Sequence, residues 1–145
     1  MEKILVPIDG SSNSLKALNY AGDMAEKFGS QIILVNIQKP VFYEGLDPEP
    51  LSKDKEAETI QEKANDVINE GLRVLEGSDL SIKVEFDPDI ILGDPAEQIL
   101  FLIDREDVDL VVMGSQGLSP LRRYFVGSVS SKVMQHSPKP VLIIK

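Results

Sequence analysis

The residues best suited to chemistry in this chain are small ones. Gly114-Ser115-Gln116-Gly117 is followed, after nine residues, by Gly127-Ser128-Val129-Ser130, and the second group opens a helical pattern. Glycine allows backbone to approach an anion closely and to take positive φ, while the first N–H groups of a helix lack internal acceptors and sit at the positive end of its dipole. Ser128 and Ser130 add hydroxyl donors. Charge-assisted hydrogen bonds contribute about 1.5–3 kcal/mol each, so several donors of this kind suffice to hold phosphate with micromolar affinity. Taken singly, each residue has a plainer use: Gly114 and Gly117 in turns, Ser128 as a helix N-cap. The whole spacing, Gly-x2-Gly-x9-Gly-Ser directly after Val111-Val112-Met113, is far more specific than any one of them.

Other chemistry is excluded by what the sequence lacks. With no cysteine and one histidine, thiolate catalysis, disulfides and multi-ligand Cys/His zinc sites have no residues to use. No Gly-Lys pair supplies a Walker lysine and no Gly-x-Gly-x-x-Gly supports a dinucleotide site. His136 lies on the same helix as Ser128, about 12 Å away by helical rise, which rules out a Ser/His dyad. It reads instead as a cation near a helix C-terminus, ahead of the stop Ser137-Pro138. No residue stands out as a general base.

The net charge of -9 argues against a nucleic-acid partner. All 24 acidic residues lie at or before Asp109, whereas the last 36 residues hold only Arg122, Arg123, Lys132, Lys139 and Lys145, a stretch that a bound polyanion would favour. No apolar run is long enough to cross a bilayer, and the opening Met1-to-Asp9 run reads as a strand rather than a signal sequence. A cytoplasmic location is the expectation.

These residues need a frame to hold them. Strand-like runs occur at Lys3–Ile8, Gln31–Ile37, Ser81–Phe86, Asp109–Met113 and Pro140–Lys145. Helical periodicity fills the gaps: Leu15 to Phe28, Ile60 to Leu75, Ile99 to Ile103, and Val129 with Val133. Asp94 as N-cap, Pro95 at the first helical position and Glu97 closing a capping box start the third helix. Alternating strands and helices in 145 residues imply one α/β domain, an open parallel sheet with helices on both faces, and too little chain for a TIM barrel. Ligands in such sheets sit beyond the strands' carboxyl ends, here the loops after Ile8, Asn36 and Met113. The third run sets Ile82, Val84 and Phe86 against Lys83 and Glu85, as a half-exposed edge strand does. Gln38–Ser52, with Pro40, Pro48 and Pro50, is a long loop; Phe42, Tyr43 and Leu46 suit either a lid or a simple excursion.

Over its whole length the sequence resembles the universal stress protein family. The resemblance rests on Ile4-Leu5-Val6-Pro7-Ile8-Asp9-Gly10-Ser11, Gly93-Asp94-Pro95-Ala96, the glycine motif, and Pro138-Lys139-Pro140-Val141-Leu142-Ile143-Ile144. It implies a Rossmann-like sheet of order 3-2-1-4-5 and, because of the glycine motif, the family's ATP-binding branch, with Mg or Mn accompanying the nucleotide. By position, Asp9 would face the ribose or a phosphate-bound metal ion, or else serve an Asx turn or a helix cap. Asn36, where the family is usually apolar, would offer backbone groups to adenine. Gly114 and Gly117 would contact ribose and phosphates, and Gly127, Ser128, Val129 and Ser130 the phosphate chain. Pro7, Ile8 and Met113 would line the base and sugar pocket or simply belong to the core, and Arg122 and Arg123 would either reach phosphate or sit in a solvated turn. The implied function is a nucleotide-dependent stress-response sensor or switch; a slow ATPase or nucleotidyl-transfer enzyme and a nucleotide-free interaction module are the alternatives. The last strand, residues 141–144, is apolar on both faces and lies at a sheet edge in that strand order, so a homodimer through it is expected, unless a helix or loop covers it.

Overall fold

The computed structural model describes residues 1–39, 53–85, 87–116 and 126–145, without the side chains of Lys53, Asp54 and Pro88. Gly117, Arg122, Arg123, Phe86 and the loop beyond Lys39, with its Phe42, Tyr43 and Leu46, lie outside the described residues. Five short runs of branched aliphatic residues form strands: β1 (Lys3–Pro7), β2 (Gln31–Val35), β3 (Ile82–Val84), β4 (Leu110–Gly114) and β5 (Val141–Ile144). All pair in parallel in the order β3-β2-β1-β4-β5. The strand order implied by the resemblance is the one observed.

Side-chain alternation divides the core between the two faces. Ile4, Val6, Ile32 and Leu34 point to one side, where Leu18 and Ala21 of α1 (Ser12–Phe28) and Ile68 of α2 (Lys53–Val74) cover them. Leu5, Ile33, Val35 and Val111 point to the other, under Ile99 and Leu102 of a helix at Pro95–Arg105 and Val133 of one at Ser128–His136. Ahead of these two comes a four-residue helix, α3 (Pro88–Ile91), so the long ones are α4 and α5. Sequence periodicity gives four helices and misses α3, because four residues are too few to show a period. Its N-cap signal was present in Asp87, whose side chain accepts from the Asp89 N–H at 3.0 Å.

Two local expectations are corrected. Asp94 caps α4 by accepting the Glu97 N–H at 3.0 Å, but Glu97 gives its carboxylate to Lys132 at 3.3 Å, so the capping box is only half made. Glu85 does not point to solvent like Lys83. It is 6% exposed and pairs with the Arg105 guanidinium, while accepting the Asp87 N–H at 2.8 Å. The ion pair removes the burial cost that placed Glu85 outside in the alternating pattern. Among the described residues no helix is long and apolar enough to cross a membrane.

The outer end of β1 is tied to β4 by one carboxylate. Asp109 accepts the N–H groups of Glu2 at 2.6 Å and Lys3 at 3.0 Å, and these two bonds hold its pKa below the ordinary aspartate value. A depressed carboxylate pKa contributes stability that is present above the unfolded pKa and lost as pH falls through the folded one. The urea midpoint is therefore expected to fall between pH 6 and pH 3 more steeply in the wild type than in Asp109→Asn. Identical pH profiles for the two proteins would contradict this.

Candidate functional site at the carboxyl end of the sheet

Three pieces of chain converge beyond the carboxyl ends of β1 and β4. The first is the β1–α1 turn. Asp9 Oδ1 accepts the Ser11 N–H at 2.9 Å, Gly10 follows with φ +82°, and Ser11 then caps α1 by accepting the Ser14 N–H at 3.2 Å. Asp9 thus makes the Asx turn that its residue type favours, and its second carboxylate oxygen has no partner among the described residues. The Ser14 hydroxyl donates to the Ser11 carbonyl at 2.9 Å and accepts the Asp9 N–H at 3.3 Å, locking the turn. The spacing Ser11-x-x-Ser14 is the local sequence signal of this cap.

The second piece is the end of β4. A Cβ on Gly114 would stand 2.8 Å from the Asn13 carbonyl carbon and 2.9 Å from the Ser14 nitrogen. Both are backbone atoms, so neither can swing aside. Gly114 is required by this close approach of α1 and β4, a structural demand that its role in a ligand site does not need.

The third piece is the start of α5. The Ser115 carbonyl accepts the Gly127 N–H at 2.6 Å and the Ser130 hydroxyl at 3.0 Å, so one oxygen fixes the start of α5 against β4. Gly127 is the N-cap and provides no side-chain cap, whereas Ser11 and Asp94 cap α1 and α4. Among the described residues, the N–H groups of Ser128, Val129 and Ser130 therefore have no capping acceptor. Ser128 is exposed and Ser130 is buried. Because Ser130 spends its hydroxyl proton on a carbonyl, its donor toward this end of the sheet is the backbone N–H. Ser115, whose carbonyl does most to hold the site, was missed because a main-chain acceptor leaves no mark in side-chain type.

The remaining predicted residues separate clearly. Ile8 and Met113 are buried on opposite faces of the sheet, in the two halves of the core, and Pro7 is partly buried. The Asn36 side chain is an internal tie: Nδ2 donates to the Ile8 carbonyl at 2.8 Å, and Oδ1 accepts from Gln38 Nε2 at 2.6 Å. His136 ends α5, as expected.

The acid-free stretch is less basic in space than in sequence. Lys132 is held by Glu97 at 3.3 Å and Asp94 at 3.6 Å, and Lys139 by Asp107 at 3.5 Å. The Glu97 hydrogen bond raises the Lys132 pKa; the Glu97 N–H, with help from Lys132, lowers that of Asp94. The Glu70 carboxylate lies beside the β1–α1 turn, 3.6 Å from where a Cβ on Gly10 would stand.

The Universal stress protein family model matches residues 1–145. The chain belongs to this family. It is similar to universal stress protein YxiE of Bacillus subtilis, 34% identical over 146 residues, which cover 99% of this chain and 98% of that one. A universal stress protein solved in complex with cAMP is 25% identical, with a TM-score of 0.63 over 99% of this chain and 97% of its own. One from Archaeoglobus fulgidus in complex with dAMP shares the fold at 19% identity, with a TM-score of 0.67 over 100% of this chain and 98% of its own. Some structural neighbours of this family member therefore bind adenine nucleotides.

Gly114→Ala is expected to lower stability by about 1–3 kcal/mol through overpacking against fixed backbone. Urea denaturation measures it, and an unchanged midpoint would show that α1 and β4 are not in the contact described.

Proposed function

We propose that this chain is an ATP-binding regulatory protein of the stress response, a nucleotide-dependent sensor or switch acting in the cytoplasm, with residues 1–145 as one nucleotide-binding domain. The observation that carries this reading is the uncapped amino end of α5, anchored through Ser115 beside the β1–α1 turn. The amides of Ser128, Val129 and Ser130 suit phosphate oxygens, and the Ser128 hydroxyl suits one more. Support for an adenine nucleotide comes from the family and from the cAMP complex of a relative.

The donor set also fits a phosphate-bound Mg or Mn ion. Such ions commonly take one or two carboxylates and fill the remaining positions with phosphate oxygens and water. Asp9 supplies a carboxylate with one oxygen unpartnered among the described residues, and among them no three His, Cys, Asp or Glu converge into an all-protein metal site. Asp9 would hold the ion and the α5 amides the phosphates. Neutralisation by the ion matters because Asp9 and Glu70 otherwise present negative charge to the nucleotide.

ATP with Mg is expected to bind with micromolar affinity. Gly127→Val should weaken it at least tenfold, or about 1.4 kcal/mol, because a Cβ there would stand 3.2 Å from the Ser115 carbonyl oxygen and shift the start of α5 that presents the amides. Ser128→Ala should lose less, because the amides remain. Calorimetry giving equal affinities for wild type and Gly127→Val would remove the site.

The proposal includes a homodimer through β5. The Val111 N–H donates to the Pro140 carbonyl and the Ser115 N–H to the Ile144 carbonyl, so by alternation the backbone groups of Val141 and Ile143 face the other edge. Leu142 is 37% exposed on this strand. Antiparallel pairing about a two-fold axis would engage both features. Ultracentrifugation at tens of micromolar is expected to give a dimer that Leu142→Lys shifts toward monomer; a wild-type monomer would contradict the pairing.

A further inference from the structure

A groove of about 280 Å³ opens on the α1–α2 face of the protein, where the second half of α1 passes the last turn of α2. None of its lining residues belongs to the site at the carboxyl end of the sheet. Its floor is apolar because of Gly22. A Cβ there would stand 2.8 Å from Leu75 Cδ2 and 3.8 Å from Leu80 Cδ1, so the absent side chain lets the end of α2 close on α1 and leaves the two leucines beneath the opening. Leu75 is 7% exposed, Leu80 is half-buried, and Val74 stands exposed at the lip.

The rim has the opposite character. Asp23 and Glu26 follow Gly22 at helical spacing, which puts both carboxylates on the α1 wall. On the α2 wall stands Glu76, just past a helix end whose last carbonyls carry the negative pole of the dipole. All three carboxylates are exposed, and among the described residues none of them makes an ion pair or a side-chain hydrogen bond. The paired cations, Lys83, Arg105, Lys132 and Lys139, serve other acids, and neither Lys27 nor Arg73, the basic residues nearest in sequence, reaches the rim within ion-pair distance.

This combination selects the occupant. A bare divalent ion needs convergent ligands, and among the described residues no three His, Cys, Asp or Glu converge. Pockets for whole small molecules run to about 300–1,000 Å³, so the volume suits one long side chain better than an enclosed ligand. Arginine matches both layers, with an aliphatic stem for the leucines and a weakly hydrated guanidinium for the carboxylates.

We propose that this groove is a docking site for a protein partner and receives an arginine of a basic segment, its stem on Leu75 and Leu80 and its guanidinium among Asp23, Glu26 and Glu76. The net charge of -9 speeds the approach of such a segment, and the exposure of the rim makes the attraction sensitive to salt. The proposal stands apart from the nucleotide reading, since the two surfaces share no residue.

The test is a titration of the 15N-labelled full chain with a blocked Leu-Arg-Leu peptide, with its citrulline counterpart, which keeps the shape and loses the charge, and with spermidine. The arginine peptide is expected to shift the amides of Asp23, Glu26 and Gly77 saturably, with a midpoint near about 1 mM, and the citrulline peptide to bind about tenfold more weakly. Raising the ionic strength from about 0.01 M to 0.15 M should weaken the arginine peptide alone. Asp23→Asn combined with Glu26→Gln, and separately Glu76→Gln, should each cost several-fold in affinity, whereas Glu62→Gln, on α2 outside the groove, should leave it unchanged. Equal affinity for the arginine and citrulline peptides, an equal loss in Glu62→Gln, or the absence of shifts at these amides overturns the proposal. Spermidine binding the same amides as tightly as the arginine peptide also overturns it, by making the groove a small-cation site.

Discussion

The architecture at the carboxyl end of the sheet depends on a contact that leaves no room for a single carbon atom. Gly114 brings the end of β4 against the backbone of Asn13 and Ser14, closer than any side chain would allow. This seats the amino end of α1 on β4, and the turn from Asp9 to Ser11 beside it. The next residue, Ser115, then gives its N–H to Ile144 and its carbonyl to Gly127 and Ser130, so β5 and α5 are registered to the same point. A larger residue at 114 would displace α1 and separate the groups that together form the candidate site.

What results is a site made chiefly of main-chain groups. Short polar side chains act on backbone: Ser11 and Ser14 close the β1–α1 turn, Ser130 fastens α5, and Asn36 and Gln38 shape the end of β2. Their own polar atoms are largely spent in doing so. Anion recognition of this kind relies on fixed amides and a helix dipole, which need no reorganisation when the ligand arrives. It also suits an acidic protein whose lysines at 132 and 139 are already paired with carboxylates.

This division explains what the sequence made legible. The strands were readable because runs such as Gln31-Ile32-Ile33-Leu34-Val35 are apolar on both faces, and the start of α4 because Asp94-Pro95 is a local signal. The glycine spacing marked the place where backbone must come close, but not the two reasons for it: Gly114 answers a packing contact, while Gly127 leaves a helix uncapped. Ile8 and Met113 looked equally suited to pocket or core, and both are buried, one in each half of the core. Glu85 was misplaced because its partner, Arg105, is distant in sequence. Ser115 was passed over because backbone hydrogen bonding depends on which strands are neighbours, which residue type does not record.

The central claim is that phosphate is held by the first amides of α5. Titrating the 15N-labelled protein with ATP and Mg, and following the amide resonances of Ser128, Val129 and Ser130, tests this most directly. The account predicts that these three shift together, saturably and at micromolar concentration, along with Asp9, while amides at the amino ends of the strands stay in place. Saturable binding that leaves the resonances of residues 128–130 unmoved would contradict it.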